Sequence, residues 1–499
     1  MDQKMIFMGD YVNGKFVRPS KPDMEWSLSS PADLAYKYAD CASKLSHVDE
    51  AIESANKAFL TWSTLSQQDR NKYLLKLKSV FEDQKQKLAE IISIETGKPL
   101  WDSLGEAQAM IGKITITLEE SLKLVADQFV PNALPGIDGV TKFKPRGVFV
   151  VIGPFNFPGH LANGHIIPAL ATGNTVVFKP SELTPMTGQF MAECYDKAEI
   201  PAGVFNLVQG QAETGRRLSM HENVEGILFT GSYDVGLKIK QDTMTHFWKI
   251  LALEMGGKNA SIVWKDADFE KALFENLMGS FMTTGQRCSC TSRLLLHESI
   301  YDRFVSEFHE KTKKLKIGHW RENPFMGPLI SAKSVENYVR FQGIAVREGA
   351  ECLMRGKVLE RSPAGNYVSP SINLVNKPNP NSVYQKTEIF GPNVAVYKIS
   401  DFDEALTLVN SSSYGLVCSV FSKDKSLLER AQQKARVGLV NWNRSTAGAS
   451  SRLPFGGMGK SGNDRPSAHF AVNYCTVPVA SLLDTSGFDE TKIPAGVDW

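Results

Sequence analysis

Three textures of hydrophobic and polar positions follow one another along the chain. From residue 48 to about 128 apolar residues recur at helical spacing, as in "NKYLLKLKSVFEDQKQKLAEIISIETG". This predicts several helices, with Gly97 and Pro99 as a stop signal. Two short extended runs around "PGIDG" (135–139) then predict a hairpin. From residue 147 short β-branched runs alternate with helical segments: "GVFVVIG", "NTVVFKP", "GVFNLVQG", "GILFTGS", "KILALEMGG" and "ASIVW". Such alternation predicts βαβ units and a parallel, doubly wound sheet. "RLLLHESI", a helix over 299–315, "NVAVYKI", "CSVFSKD" and "GLVNWN" repeat the texture, so two α/β halves are expected to meet near residues 253–260. A last run, "NYCTVPVASLL", is expected to pair with the hairpin near 130–143 of the same or another subunit.

Composition narrows the partners. With 499 residues, 42% of them hydrophobic, the chain can bury sizeable cores. Basic and acidic residues number 56 and 54, a net charge of +2, and the longest basic run, "KTKK" at 311–314, reads as a solvated helix face. Neither nucleic acid nor a membrane is expected as a partner. The apolar patch Met5 to Met8 is too short for a signal-peptide core, and no apolar run approaches the roughly 20 residues of a membrane helix. Seven scattered cysteines do not resemble a disulfide framework, and a reducing, cytoplasmic setting is expected. Without a CxxC pair or HExxH, no metal site is expected.

"GMGKSG" at 457–462 satisfies GxGxxG, but it follows "SSRLPF" rather than a strand, and Pro466 comes too soon for a clean helix, so it is rejected as a dinucleotide fingerprint. "GILFTGSYDVG" is better placed. A strand ends at Gly231, Ser232 can cap the helix that follows, and the helix start suits a pyrophosphate. In "VVFKPSELTP", Lys179 and Glu182 fall at the carboxyl end of another strand, the edge where open α/β sheets bind ligands; a carboxylate there suits ribose hydroxyls and repels a ribose phosphate. "TTGQRCSCTSR" (283–293) sets Cys288 and Cys290 two apart behind Arg287, and the residues alone leave either thiol open as a nucleophile. Glu254, embedded in "LALEMGGKN", is expensive to bury unless used, and a desolvated carboxylate would serve as a general base for water.

Together, "GPFNFPG" (153–159), "FKPSELTP" (178–185), "FTGS" (229–232), "LEMGGKN" (253–259), "GQRC" (285–288), "EIFGP" (388–392) and "PFGGMGKSG" (454–462) resemble, in order and spacing, the NAD(P)-dependent aldehyde dehydrogenase superfamily. The resemblance covers nearly the whole chain. It implies Cys288 as nucleophile, Glu254 as general base and Asn156 as the amide that stabilises the oxyanion. Lys179, Ser181 and Glu182 would hold the adenosine ribose. Gly231, Ser232, Tyr233, Asp234, Val235 and Gly236 would form the turn and helix start under the pyrophosphate, and Glu388 with Phe390 would place the nicotinamide ribose and ring. The implied fold is α/β, with two doubly wound domains and a small β oligomerisation flap. A Rossmann-like NAD-binding domain would take residues 1–123 and 144–253, a catalytic domain 254–442, the flap and tail 124–143 and 467–499, and a substrate-funnel loop 443–466. A homodimer or homotetramer built through the flap follows from the same resemblance, and Glu182 points to NAD as cofactor.

Within the superfamily, the match in "GPFNFPGHLANGHIIPAL" and "NWNRSTAGASSRLPFGG" implies a small-molecule substrate, a semialdehyde carrying two remote carboxylates. Cationic donors suit such a substrate, and Lys113, Arg287, Arg444, Arg452 and Arg465 are the candidates. The alternatives are succinic semialdehyde, glutamate semialdehyde or an aliphatic aldehyde as substrate, a coenzyme A-acylating dehydrogenase or a reductase, and a catalytically silent scaffold. Glu254 speaks against acylation, and the joint presence of Asn156, Glu254 and Cys288 against silence.

Overall fold

A computed structural model of the chain describes residues 4–463 and 465–499. The helical stretch resolves into Ser46–Trp62, Gln67–Thr96 and Leu100–Glu119. Ser66 starts the second of these, its side chain accepting from the Asp69 amide, and Gly97 ends it in the left-handed region at φ 73°.

Two seven-stranded sheets follow from the βαβ texture. In the first, the order is Ile250–Glu254, Gly226–Thr230, Val148–Ile152, Thr175–Lys179, Phe205–Leu207, Asp10–Val12 and Lys15–Val17. The first five run parallel and the last two antiparallel at the edge. The second is ordered Glu351–Met354, Ser371–Val375, Asn393–Ile399, Thr291–His297, Asn259–Val263, Val417–Phe421 and Leu439–Trp442, with only Glu351–Met354 antiparallel. The chain crosses between the sheets at residues 255–258.

Central strands such as Val148–Ile152 are buried at every position, as a parallel sheet covered on both faces requires. Their alternation divides the core: Phe149 and Val151 pack into the cluster that includes Trp62, Leu74 and Ile166, while Val148, Val150 and Ile152 pack with Val48, Ile52 and Leu253.

The hairpin is Gln128–Leu134 with Ile137–Pro145, and Thr476–Leu483 of the same chain completes a three-stranded sheet, pairing from Thr476↔Pro145 to Leu483↔Asp138. Four strands between Asp10 and Ser43 were not anticipated, because they are short or shift register and carry mixed polar and apolar residues.

Candidate active site

The carboxyl ends of the first sheet converge on the crevice between the two sheets, where open α/β folds place ligands. Glu254 is the last residue of its strand, Lys179 is the last of another, and Asn156 lies four residues past a third. Facing them is the turn that delivers Cys288, just before the strand Thr291–His297.

That turn is strained and braced. Thr283, Thr284 and Gly285 take left-handed φ values of 54°, 56° and 68° in succession, a conformation threonine adopts only when its surroundings enforce it. The Thr283 hydroxyl donates to Asp102 Oδ2 at 2.6 Å and accepts from Arg287 Nε at 2.7 Å, and the Thr284 hydroxyl donates to the Gly327 carbonyl at 2.9 Å. Asn259 Nδ2 donates to the carbonyls of Cys288 at 2.7 Å and Cys290 at 2.9 Å. Sequence reasoning missed Asn259 as a clamp, although it closes the quoted "LEMGGKN".

Cys288 and Asn156 both line a cavity of about 310 Å³, together with Phe157, His160, Arg287, Ser289, Ser450 and Phe455 among others. Asn156 donates from Nδ2 to the Gln286 carbonyl at 2.9 Å. Cys290 is buried outside that cavity, on a smaller cleft beside Glu388. Burial pushes the Cys288 thiol well up, and the nearby acids Glu254 and Glu388 push the same way, with Arg287 opposing. Burial likewise raises Cys290, to about 11. Glu254 is 1% exposed, and neither carboxylate oxygen has a hydrogen-bond partner among the described residues. Its pKa is driven far above the carboxylate range by burial, with Arg465 opposing and Glu388 adding. Its backbone is held on both sides: Gly231 N–H donates to its carbonyl at 3.0 Å, and Met255 N–H donates to Ser461. The "GMGKSG" segment therefore pairs with the Glu254 strand, and the next helix among the described residues is the four-residue Ala471–Tyr474.

The residues of the crevice suit a dinucleotide. Lys179 is buried, donates to the Pro180 carbonyl at 2.8 Å and lies 3.9 Å from the half-exposed Glu182 carboxylate; Ser181 sits between them. Ser232 caps the helix Tyr233–Asp242, accepting from Val235 N–H, and Ser232, Asp234 and Val235 face solvent there while Gly236 packs inward. A Cβ on Gly256 would collide with the Glu388 carboxylate, and one on Gly257 with the Cys288 carbonyl, so this glycine pair is what lets Glu388 and the nucleophile turn approach. Glu388 accepts from Gly257 N–H at 2.8 Å, and burial raises its pKa to about 7. Phe390, at φ 54°, packs edge-on against Phe155.

The five candidate cations separate. Only Arg287 lines the cavity, and it is engaged: its Nη2 lies 2.9 Å from Asp102, and its plane sits over Phe157. Lys113 is fully buried and donates to the Ala468 carbonyl at 2.7 Å, burial lowering its pKa to about 7. Arg465 donates to the Gly457 carbonyl, Arg452 is exposed beside Glu120, and Arg444 is exposed in the loop that flanks the cavity. Sequence reasoning also missed the buried pair Lys98–Glu106, whose acid accepts from the Gly159 and His160 amides at 2.9 and 3.0 Å. Asp102 and Glu106, four apart on the helix Leu100–Glu119, are the signal that could have found this acidic face.

No helix among the described residues is long and apolar enough to cross a membrane. Residues 21–479 match the aldehyde dehydrogenase family. The chain is 39% identical over 478 residues to the N-succinylglutamate 5-semialdehyde dehydrogenase of Acinetobacter baylyi, covering 95% of each chain. To the protein of the same name from Photorhabdus laumondii it is 37% identical over 494 residues, covering 98% of this chain and 99% of that one. Among solved structures it is similar to a 1-pyrroline-5-carboxylate dehydrogenase from Thermus with bound NAD, at a TM-score of 0.89 and 30% identity over 95% of this chain and 92% of that one. An NAD-dependent aldehyde dehydrogenase from Sinorhizobium meliloti gives a TM-score of 0.92 at 28% identity, covering 97% and 96%. With a cysteine turn, a buried acid and a dinucleotide crevice meeting between two doubly wound sheets, and a family match spanning nearly its full length, the chain belongs to the aldehyde dehydrogenase family, whose members oxidise aldehydes with NAD(P).

Proposed function

We propose that this enzyme oxidises N-succinyl-L-glutamate 5-semialdehyde to N-succinyl-L-glutamate with NAD, a step of arginine catabolism. The observation that carries the chemistry is the meeting of Cys288 and Asn156 on one cavity, with the buried Glu254, whose oxygens have no hydrogen-bond partner among the described residues, near enough to act on the Cys288 thiol. The shared name of relatives at 36–39% identity over almost the full chain supports the substrate.

In this reading the Cys288 sulfur, once ionised, adds to the aldehyde carbon, and the Asn156 amide turns from Gln286 to the developing oxyanion together with the Cys288 backbone N–H. Losing one such donor in comparable sites costs about 2.7–4 kcal/mol of barrier. A cofactor held in the crevice would supply the nicotinamide as acceptor for the hydride that leaves the former aldehyde carbon. Glu254 then takes a proton from the water that attacks the Cys288 thioester, releasing the acid and restoring the thiol. Lys179, Ser181 and Glu182 would hold the adenosine ribose, the segment Gly231 to Gly236 the pyrophosphate, and Glu388 with Phe390 the nicotinamide riboside. Glu182 supports NAD over NADP, because a ribose phosphate would meet its carboxylate. Arg287, the one of the five candidate cations that lines the cavity, would meet a substrate carboxylate, with Asp102 holding it. The exposed apolar residues Phe129, Val130, Leu134, Leu482 and Leu483 on the three-stranded sheet support a homodimer or homotetramer through this flap.

The test is kcat/KM on the succinylated semialdehyde against succinic semialdehyde, glutamate semialdehyde and an aliphatic aldehyde, with NAD and with NADP. The succinylated substrate with NAD should be the best pair; an aliphatic aldehyde used equally well would overturn the substrate, and a preference for NADP the cofactor. Cys288→Ala should abolish NADH formation while cofactor still binds.

A further inference from the structure

The segment that carries Asn156, residues 153–159, is neither helix nor strand, so its seat depends on the contacts at its end. Glu106 Oε1 accepts from the backbone amides of Gly159 at 2.9 Å and His160 at 3.0 Å. These are the cap and first residue of the helix His160–Ala171, where a carboxylate matches both the free N–H groups and the positive helix end. The other oxygen of Glu106, Oε2, is taken by Lys98 Nζ, and both side chains are buried. Lys98 Nζ also lies 4.0 Å from the centroid of the Phe157 ring, directly after Asn156, and the Arg287 guanidinium lies 4.7 Å from the same centroid.

Asp102, four residues earlier on the helix Leu100–Glu119 and so on the same face, holds the opposite half of the site. It accepts from Thr283 and from Arg287, the residues that brace the turn delivering Cys288. The two segments meet where Asn156 Nδ2 donates to the Gln286 carbonyl at 2.9 Å. One helix therefore seats both the nucleophile and the amide. A buried ion pair is a weak source of stability, and apolar side chains of the same volume often pack as well. What Glu106 supplies, and an apolar side chain would not, is a bond to two amides three and four residues past Asn156.

We propose that Glu106 is a positioning residue for the oxidation half of the reaction: with Lys98 fixing its carboxylate, it holds the backbone about which the Asn156 amide turns from Gln286 to the oxyanion at Cys288. The inference rests on the reading of Asn156 above and goes beyond it in naming what keeps that amide in place. Glu106 itself transfers no proton and bonds no substrate in this role.

The experiment compares Lys98→Met/Glu106→Leu with Lys98→Met/Glu106→Gln, each with and without Asn156→Ala. Both pairs remove the two buried charges together, which a fold tolerates better than the loss of one, and only glutamine keeps an acceptor for the two amides. The single-turnover rate of NADH formation is measured on the aldehyde that the wild type oxidises best, together with the dissociation constant for NAD. A displacement of about 1 Å near the reacting atoms costs on the order of 10²-fold, so the leucine pair should lose roughly 10- to 10²-fold in rate and the glutamine pair should recover most of it. Affinity for NAD should stay within about 2-fold throughout. With Asn156→Ala in place the leucine and glutamine pairs should come within about 3-fold of each other, because the group being positioned is gone. A gap that persists without Asn156, or no gap with it, overturns the proposal and leaves the role of Asn156 standing. Asn156→Ala at the wild-type rate would overturn that role and the proposal with it. If the leucine pair does not fold, Glu106→Asp, which keeps the charge and withdraws the acceptor by one methylene, is compared with the wild type under the same outcomes.

Discussion

Replacing Glu254 by glutamine separates the two halves of the reaction. Neither Glu254 oxygen has a partner among the described residues, so the amide removes no hydrogen bond, and it copies the shape of the protonated acid that burial favours. The fold should survive. Without a base for the hydrolytic water, turnover should fall by roughly 10²–10⁴-fold, about 2.7–5.5 kcal/mol of barrier. The first half does not call on Glu254, so rapid mixing with aldehyde and cofactor should give a burst of one NAD(P)H per subunit followed by a near-stall. The burst should also begin at lower pH than in the wild type, because after burial the charge of Glu254 is the largest influence raising the Cys288 thiol. Stability should report the same group with a definite sign. The folded protein holds the Glu254 proton more tightly than the unfolded chain does, so wild-type stability falls as pH rises from the ordinary carboxylate range through the folded pKa. Glu254→Gln lacks that loss and should gain on the wild type as the medium becomes alkaline. A variant with no burst, or with steady turnover intact, would refute Glu254 as the base of the second half-reaction.

Other consequences of the geometry are as direct. Asn259→Ala removes the bonds to the Cys288 and Cys290 carbonyls and the one its Oδ1 accepts from Val417 N–H, so chemical denaturation should show a loss of roughly 2–4 kcal/mol, with kcat falling more than cofactor affinity. Gly256→Ala should displace Glu388 and raise the KM for cofactor, while aldehyde KM moves little; an unchanged cofactor KM would refute the close approach. Lys113 is protonated to higher pH in the unfolded chain than in the fold, where its pKa is about 7, so wild-type stability should rise between about pH 7 and 10. Lys113→Met should flatten that rise, and parallel melting curves for the two proteins across that range would count against it.

How much of this was legible depended on whether the signal was local. The hairpin at "PGIDG", the cap at Ser232 and the crossover between Glu254 and Asn259 are set by neighbouring residues, and each was readable. The strands between Asp10 and Ser43 were not, because Asp10–Val12 and Lys15–Val17 are three residues long and Met24–Ser30 pairs with Asp33–Ser43 through shifts of register, so neither pair carries a clean period of two. The bracing of the nucleophile turn was also hidden. Asp102 and Thr283 stand 181 positions apart, and no local pattern announces that an acid on an early helix will hold a threonine hydroxyl at the cysteine.

Arg287 shows what that distance conceals. Beside Cys288 in sequence it reads as a thiol activator, and its field does lower the thiol pKa, but it is outweighed by burial and by three other groups. Its hydrogen bonds go elsewhere, to Thr283 and Asp102, and its face rests on Phe157. The guanidinium therefore helps hold Thr283, the first of the two left-handed threonines before the cysteine, at the same time as it lines the cavity. A lysine would keep the charge and lose the planar fork that reaches both partners at once.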